Sequence, residues 1–297
     1  MRTRHFFQLV GLSALWGASF LFIRLASPVL GPAVMAESRV ALASITLAIF
    51  MVALRHRWSL VHWRELAWIA LLSVALPFLL FAWAALKLPA GYSALLNSTA
   101  VLFACLASAW LGEDRLNGRK WLGCLCGFAG VGAIVRLGPV QPTPDVLLAA
   151  LACLAAAACY GLSNPLMKRA TTRMEPLAIA ATIHAFSFVM LLPAAASGWS
   201  GAHWTPLALV AVAVLGIVTS GLAYWANLRI VRHVSPIAAA SPTFLIPAFG
   251  VAWGHLFLGE PVGPGFLAGA ALVLLAAGLI SGFNPLRGWW DAGRARP

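Results

Sequence analysis

Apolar residues run in stretches of about twenty along nearly the whole chain, broken only by short polar punctuation. Stretches of that length cross a hydrocarbon core of roughly 30 Å as helices. A barrel needs short strands of alternating polarity, and these runs do not alternate. The pattern predicts an all-α integral membrane protein with ten transmembrane helices, near 6–27, 32–54, 66–86, 90–111, 119–137, 146–167, 177–196, 206–230, 236–258 and 263–283. Pro32, Pro89, Pro206 and Pro236 stand near predicted helix starts, where a missing N–H costs little. The connections leave no room for a soluble domain. The first apolar run continues past the usual cleavage region of a signal peptide and is expected to remain as a helix.

The layout of one stretch occurs twice. Pro89–Gly118 opens PAGYSALLNS and closes LGEDRLNG; Pro236–Gly265 opens PIAAASPTFL and closes LGEPVGPG, offset by 147 residues at both ends. Upstream, Trp16-Gly17-Ala18-Ser19 with Arg24 and Pro32 is echoed by Tyr160-Gly161-Leu162-Ser163 with Lys168 and Pro176. Such self-similarity signals a duplicated architecture. The Pro- and Gly-containing segment 138–145 is the expected border, giving repeats over 1–140 and 141–297.

Charge orients these halves. The chain is 62% hydrophobic and only 9% charged, yet carries a net charge of +12. With the N-terminus inside, the predicted cytoplasmic segments hold sixteen of the twenty Lys and Arg, and the opposite side holds Arg24, Lys87 and Arg136. Arg39 lies within helix 2. By the positive-inside rule both termini are cytoplasmic. Five helices per half is an odd number, so the second half enters the membrane inverted. The loops agree: Arg115, Arg119 and Lys120 follow Glu113, whereas the matching Glu260–Gly265 has no base. Inverted repeats around a midplane site are a common architecture of secondary transporters. Nucleic-acid binding is excluded as an expectation, because no soluble basic domain is present to perform it. Cys105, Cys124, Cys126, Cys153 and Cys159 all fall within apolar runs and read as small fillers; no metal or cofactor is expected.

With these residues on the page, the sequence resembles the EamA-type branch of the drug/metabolite transporter superfamily over nearly its whole length. The resemblance rests on Trp16-Gly17-Ala18-Ser19-Phe20 and on Arg39-Val40-Ala41-Leu42 in helix 2. Both copies of the proline-start, Leu-Gly-Glu and Gly-rich-helix pattern add to it, as does Pro247 in helix 9. Ala100 holds the equivalent position in helix 4, a departure from that pattern. The resemblance implies an inner-membrane carrier of 5+5 helices exporting amino acids, drugs or small metabolites from a central cavity. It also implies that helices 1–4 and 6–9 surround the solute path while helices 5 and 10 serve as scaffold.

Polar groups at membrane depth are the functional suspects. Glu37 and Arg39 stand two apart in helix 2 and so do not face each other. Arg39 either meets a carboxylate or phosphate in the cavity or satisfies neighbouring helix ends. Glu37 either gates, meets an amine, or is structural. Trp16, Ser19, Phe20 and Ile23, matched by Tyr160, Ser163, Asn164 and Met167, form two equivalent stripes suited to an amphipathic solute, or else ordinary packing. Asn97, Ser98 and Thr99 in helix 4, and Ser241 and Thr243 in helix 9, supply polar bands. Trp83, Tyr224, Trp225 and Asn227 can complete the walls. His184 is the neutral-range titratable group near midmembrane, a candidate for proton coupling or a packed histidine, with His255 a weaker counterpart. Glu113 and Glu260, at helix turns, read as caps of the following helices rather than catalytic carboxylates. Gly123/Gly127, Gly265/Gly269 and Gly278/Gly282 are expected close-approach points.

The function expected is secondary export of small amphipathic metabolites, most of all amino acids, by alternating access. Multidrug or toxic-compound export and nucleotide-related metabolite export are alternatives on the same fold. A membrane enzyme is disfavoured because no His/Asp/Glu cluster gathers at one depth, and a channel because the symmetry is internal. No Walker motif is present, so no ATPase partner is expected. The expected partners are a small-molecule solute and membrane lipid, with the chain a monomer or weak dimer.

Overall fold

The computed structural model describes residues 3–58, 60–110, 117–137, 140–231 and 242–281. Every regular element among them is helical. The helices are α1 (Thr3–Leu30), α2 (Pro32–Ala53), α3 (Trp63–Ala84), α4 (Ala90–Trp110), α5 (Gly118–Leu137), α6 (Pro144–Arg173), α7 (Pro176–Gly198), α8 (Pro206–Ile230), α9 (Pro242–Leu258) and α10 (Pro264–Ser281). Seven of these, α1–α4 and α6–α8, are long and apolar enough to cross a membrane. Shorter apolar helices occupy Leu245–Leu258 and Pro264–Ile280. An all-helical chain with several membrane-length apolar spans is thus what the hydropathy pattern produces. Residues 236–241 of the expected ninth helix lie outside the described residues.

Local chemistry sets the helix ends. Pro32, Pro144, Pro176 and Pro206 stand at first-turn positions. The Thr143 and Thr205 hydroxyls accept from Val146 N and Ala208 N, capping α6 and α8. α6 runs six residues beyond its expected end at 167, to Arg173, because the polar sequence after the apolar run is still helix-forming.

Glycines bring the helices together across the two halves of the sequence. A Cβ on Gly17 of α1 would stand 2.6 Å from the Phe249 Cβ and 2.9 Å from Gly250 N of α9. One on Gly161 of α6, the echo of Gly17, would stand 2.6 Å from both the Phe103 Cβ and Ala104 N of α4. α2 packs along α7, and α5 along α10. The α5–α10 contact places Gly130 against Gly269, where an added Cβ on either would lie within 2.9 Å of the other's carbonyl oxygen. Gly127, an expected close-approach point, faces Leu102 of α4 and not α10, since it lies on another side of α5 from Gly130.

The turns segregate to two ends of the bundle. At one end, His203 N donates to Val29 O (2.8 Å), and Lys87 pairs with Asp145 (2.8 Å). At the other, Arg173 pairs with Glu65 (3.5 Å), in the neighbourhood of the basic turns.

Among the described residues, α3, α4 and α8 depart from regular α geometry. α3 contains a π-helical turn at Leu71–Ala75, and α8 a longer one at Val214–Leu222. α4 divides at Ser98 and Thr99 into Ala90–Asn97 and Ala100–Trp110. Ala100 replaces the proline of the repeat pattern, yet the helix still breaks. Ser98 and Thr99 return their hydroxyls to the carbonyls three residues back, Leu95 O and Leu96 O, at 2.6 Å each, tightening the turn.

Candidate solute site

Arg39 centres a buried polar cluster where α2, α3, α6, α7 and α8 converge. It is 6% exposed. Its Nε donates to the Ser220 hydroxyl (2.8 Å), and its guanidinium lies 3.7 Å over the Phe78 ring. α8 comes this close because residue 216 is glycine: a Cβ there would lie 2.5 Å from the Leu42 Cβ and 2.8 Å from Arg39 O. The π turn then carries Ser220 to the guanidinium. Tyr160 and His184 lie within electrostatic range of the same charge. No carboxylate pairs with Arg39 among the described residues. A guanidinium has five donors, so most of its fork is left for a ligand or ordered water.

Around this centre the side chains form a connected wall. Phe20 meets Phe81 edge-on (5.4 Å), and Phe81 stacks with Tyr160 (6.2 Å). His184 meets Tyr224 edge-on at 5.2 Å. The His184 Nδ1 lies 2.8 Å from Ala180 O. A carbonyl can only accept, so the proton sits on Nδ1 and Nε2 faces the interior as an acceptor. That Nε2 has no hydrogen-bond partner among the described residues. Ser187 donates to Ile183 O (2.8 Å) and Ala70 O (3.1 Å), the latter at the edge of the α3 π turn, and Tyr224 approaches Ser73 within that turn.

Arg39, Phe20, Tyr160, His184 and Tyr224 are therefore brought together. Others are not. Trp16 points away: its Nε1 donates to Thr219 O (3.2 Å), tying α1 to the irregular backbone of α8. Trp83 is 41% exposed and stands outside the cluster, and Asn164 is exposed as well. Ser19 and Ser163 turn their hydroxyls back to their own helices. Ser98 and Thr99 are buried and do the same, while the Asn97 Oδ1 is buried without a partner. Trp225 packs on Phe50 and Arg229 rather than in the wall. Ser241, the Thr243 side chain and Glu113 lie outside the described residues. Arg24, near the end of α1, is accounted for by a hydrogen bond to Ala85 O at the end of α3.

Glu260 corrects an expectation about its partner. Its carboxylate reaches Ala90 N (2.6 Å) and Gly91 N (3.1 Å), the first turn of α4, and not the following helix α10. The chain turns back after Leu258 through Gly259 at φ 63°, which swings the carboxylate towards the other half. Gly91 and Gly254 leave the space in which it sits. His255 is exposed and bonds Glu260 O through Nδ1 (3.0 Å), a turn contact.

Ser73, Ser187 and Ser220 escaped sequence reasoning because a serine in an apolar run looks like any small residue, and Phe78 because it is one of many apolar aromatics. One signal was available: Ser73 and Ser220 are separated by 147 residues, the offset of the repeated stretch.

These features define a polytopic helical membrane protein with a charged, aromatic-lined site inside the bundle. The EamA-like transporter family model matches the chain twice, over residues 5–136 and 147–282. The chain belongs to the EamA-like transporter family, within the drug/metabolite transporter superfamily, and is a multi-pass membrane transporter by that membership. It is 27% identical to an uncharacterized transporter, YvbV, of Bacillus subtilis over 94% of this chain and 92% of the relative. It is 28% identical to a probable terminal-alkyne amino-acid exporter of Streptantibioticus cattleyicolor, over 90% and 89% respectively. A solved crystal structure shares the fold, with a TM-score of 0.67 at 16% identity, over 95% of this chain and 99% of the other.

Proposed function

We propose that this transporter is a secondary carrier exporting small amphipathic metabolites, amino acids foremost, across a bacterial-type inner membrane. Its two five-helix repeats, 1–140 and 141–297, lie inverted about the site, with both termini cytoplasmic, and exchange access between the two faces. The observation that carries the reading is the Arg39 cluster. A buried guanidinium with spare donors recognises a carboxylate, and the Phe20, Phe81 and Tyr160 rings beside it suit an apolar side chain. The cluster joins helices of both halves, as a carrier's central site must. The double match of the family model and the echoed Gly17 and Gly161 contacts support the repeat. The amino-acid exporter among its relatives favours amino acids over drugs and nucleotide-related solutes.

Purified protein in liposomes is expected to move leucine with saturable flux and counterflow. Arg39→Ala should abolish it while leaving the protein folded. Flux linear in concentration would point to a channel, and unchanged leucine transport in a folded Arg39→Ala variant would remove the carboxylate role. A cationic drug or a nucleotide moved in place of leucine would shift the substrate class.

A further inference from the structure

A second site lies on α2, turned away from the Arg39 cluster. Glu37 is 3% exposed, and neither carboxylate oxygen has a hydrogen-bond partner among the described residues. It lines a cavity of about 590 Å³ between α2, α7 and α8, within the usual size range of small-molecule sites. The hydroxyl of Ser38, also on the cavity wall, is buried and unpartnered too. The rest of the lining is apolar: Leu42, Phe188, Val212 and, at the rim, the half-exposed Trp199, Trp204 and Leu209. Trp199 and Trp204 meet at 5.8 Å beside the α7–α8 turn, the placement expected of tryptophans at a membrane interface. Arg39 does not neutralise Glu37, because it points to Ser220 and Phe78.

A buried carboxylate without donors is costly unless it takes up a proton or a cation meets it. We propose that this cavity binds an amphipathic primary amine, its ammonium on Glu37 and Ser38 and its apolar body against Phe188 and the Trp199–Trp204 rim. An ammonium carries three donors, enough for the carboxylate and the hydroxyl together. A free amine fits better than an aminophospholipid headgroup, since no Lys or Arg among the described residues lines the cavity to hold a phosphate. The site is separate from the Arg39 reading and is tested by binding alone.

The test uses the full chain in phosphatidylcholine nanodiscs with radiolabelled n-decylamine, cationic at neutral pH. Saturable binding is expected, at least tenfold weaker in Glu37→Gln. It should also be at least tenfold weaker in Ala196→Trp, which fills the cavity from an exposed position and does not touch the carboxylate. In the unaltered protein, n-decanol should displace the amine at least tenfold less well than unlabelled n-decylamine. Equal displacement by decanol would overturn the proposal in favour of a merely apolar groove, as would full affinity in folded Glu37→Gln. Loss of amine binding in phosphatidylethanolamine discs would overturn it in favour of a lipid headgroup.

Discussion

Arg39 is held in a way that lysine cannot copy. Its Nε engages Ser220 while the flat face of the guanidinium covers Phe78, which leaves the outer edge of the fork for a carboxylate. Lysine keeps the charge but has no planar face and no Nε donor. Arg39→Lys is therefore expected to lower kcat/KM for leucine by at least tenfold, about 1.4 kcal/mol of transition-state stabilisation, with little change in melting temperature. Liposome kinetics beside a thermal melt checks this, and wild-type kinetics in the lysine variant would show that charge alone suffices. Glu260 makes a contrasting case, a carboxylate whose work is structural. Glu260→Ala orphans the N–H groups of Ala90 and Gly91 and should cost about 0.5–2 kcal/mol, the range of a lost helix cap. A fall in melting temperature with the leucine KM preserved is the expected signature. Residue by residue, the sequence disclosed which groups are costly in a membrane but not where they point. Arg39 and His184 stood out by charge and depth. Trp16 was indistinguishable from a wall residue until its indole was seen bonded to Thr219 O.

Among the elements, the irregular helices build the site. The π turns of α3 and α8 place Ser73 and Ser220 on the polar cluster, and π turns inside α-helices often mark functional positions. They stayed hidden in the sequence because a π turn needs no proline or glycine signature, only neighbours that donate to the freed carbonyls. Trp16 and Ser187 do so, at Thr219 O and Ala70 O. The all-helical class and the membrane-length apolar spans were legible because twenty apolar residues have few alternatives in a bilayer. The break in α4 was not, because Ser98 and Thr99 achieve by back-bonding what Pro247 suggested only for α9. Gly216 is the point where the α8 π turn depends on its neighbour. In Gly216→Ala, the new methyl meets Leu42 and the Arg39 backbone, forcing α8 away from α2. Overpacking of this kind costs about 1–3 kcal/mol, and the displacement separates Ser220 from Arg39. A lowered melting temperature with a raised leucine KM is expected. A normal KM would mean that the Ser220 contact is not needed for solute binding.

At the scale of the molecule, α3 and α6 are tied at both ends. Lys87 at the end of α3 meets Asp145 at the start of α6, and Glu65 at the start of α3 meets Arg173 at the end of α6. Exposed ion pairs of this sort contribute about 0–1 kcal/mol each, so they report position more than they confer stability. Their significance lies in being closed together. In the proposed carrier, two helices joined at both faces are candidates to move together. The expectation is that α3 and α6 travel as a unit, with α4 packed onto α6 at Gly161 through Phe103 and Ala104. On that expectation, opening occurs along other seams. The contact of His203 N with Val29 O, which joins the α1–α2 turn to the α7–α8 turn, is one described seam of that kind. Lys87→Cys/Asp145→Cys and Glu65→Cys/Arg173→Cys, each joined by a short bismaleimide, should retain at least half of wild-type leucine transport. Val29→Cys/His203→Cys joined in the same way should lose at least nine-tenths of it. Four of the five native cysteines are buried and Cys126 is half-buried, so replacement of Cys126 by Ser supplies a quiet background. Loss of transport on joining α3 to α6 would move the hinge to that pair. Full activity with the Val29–His203 link in place would place the gate elsewhere, since a face held shut by a covalent bridge cannot take part in exchange between the two sides.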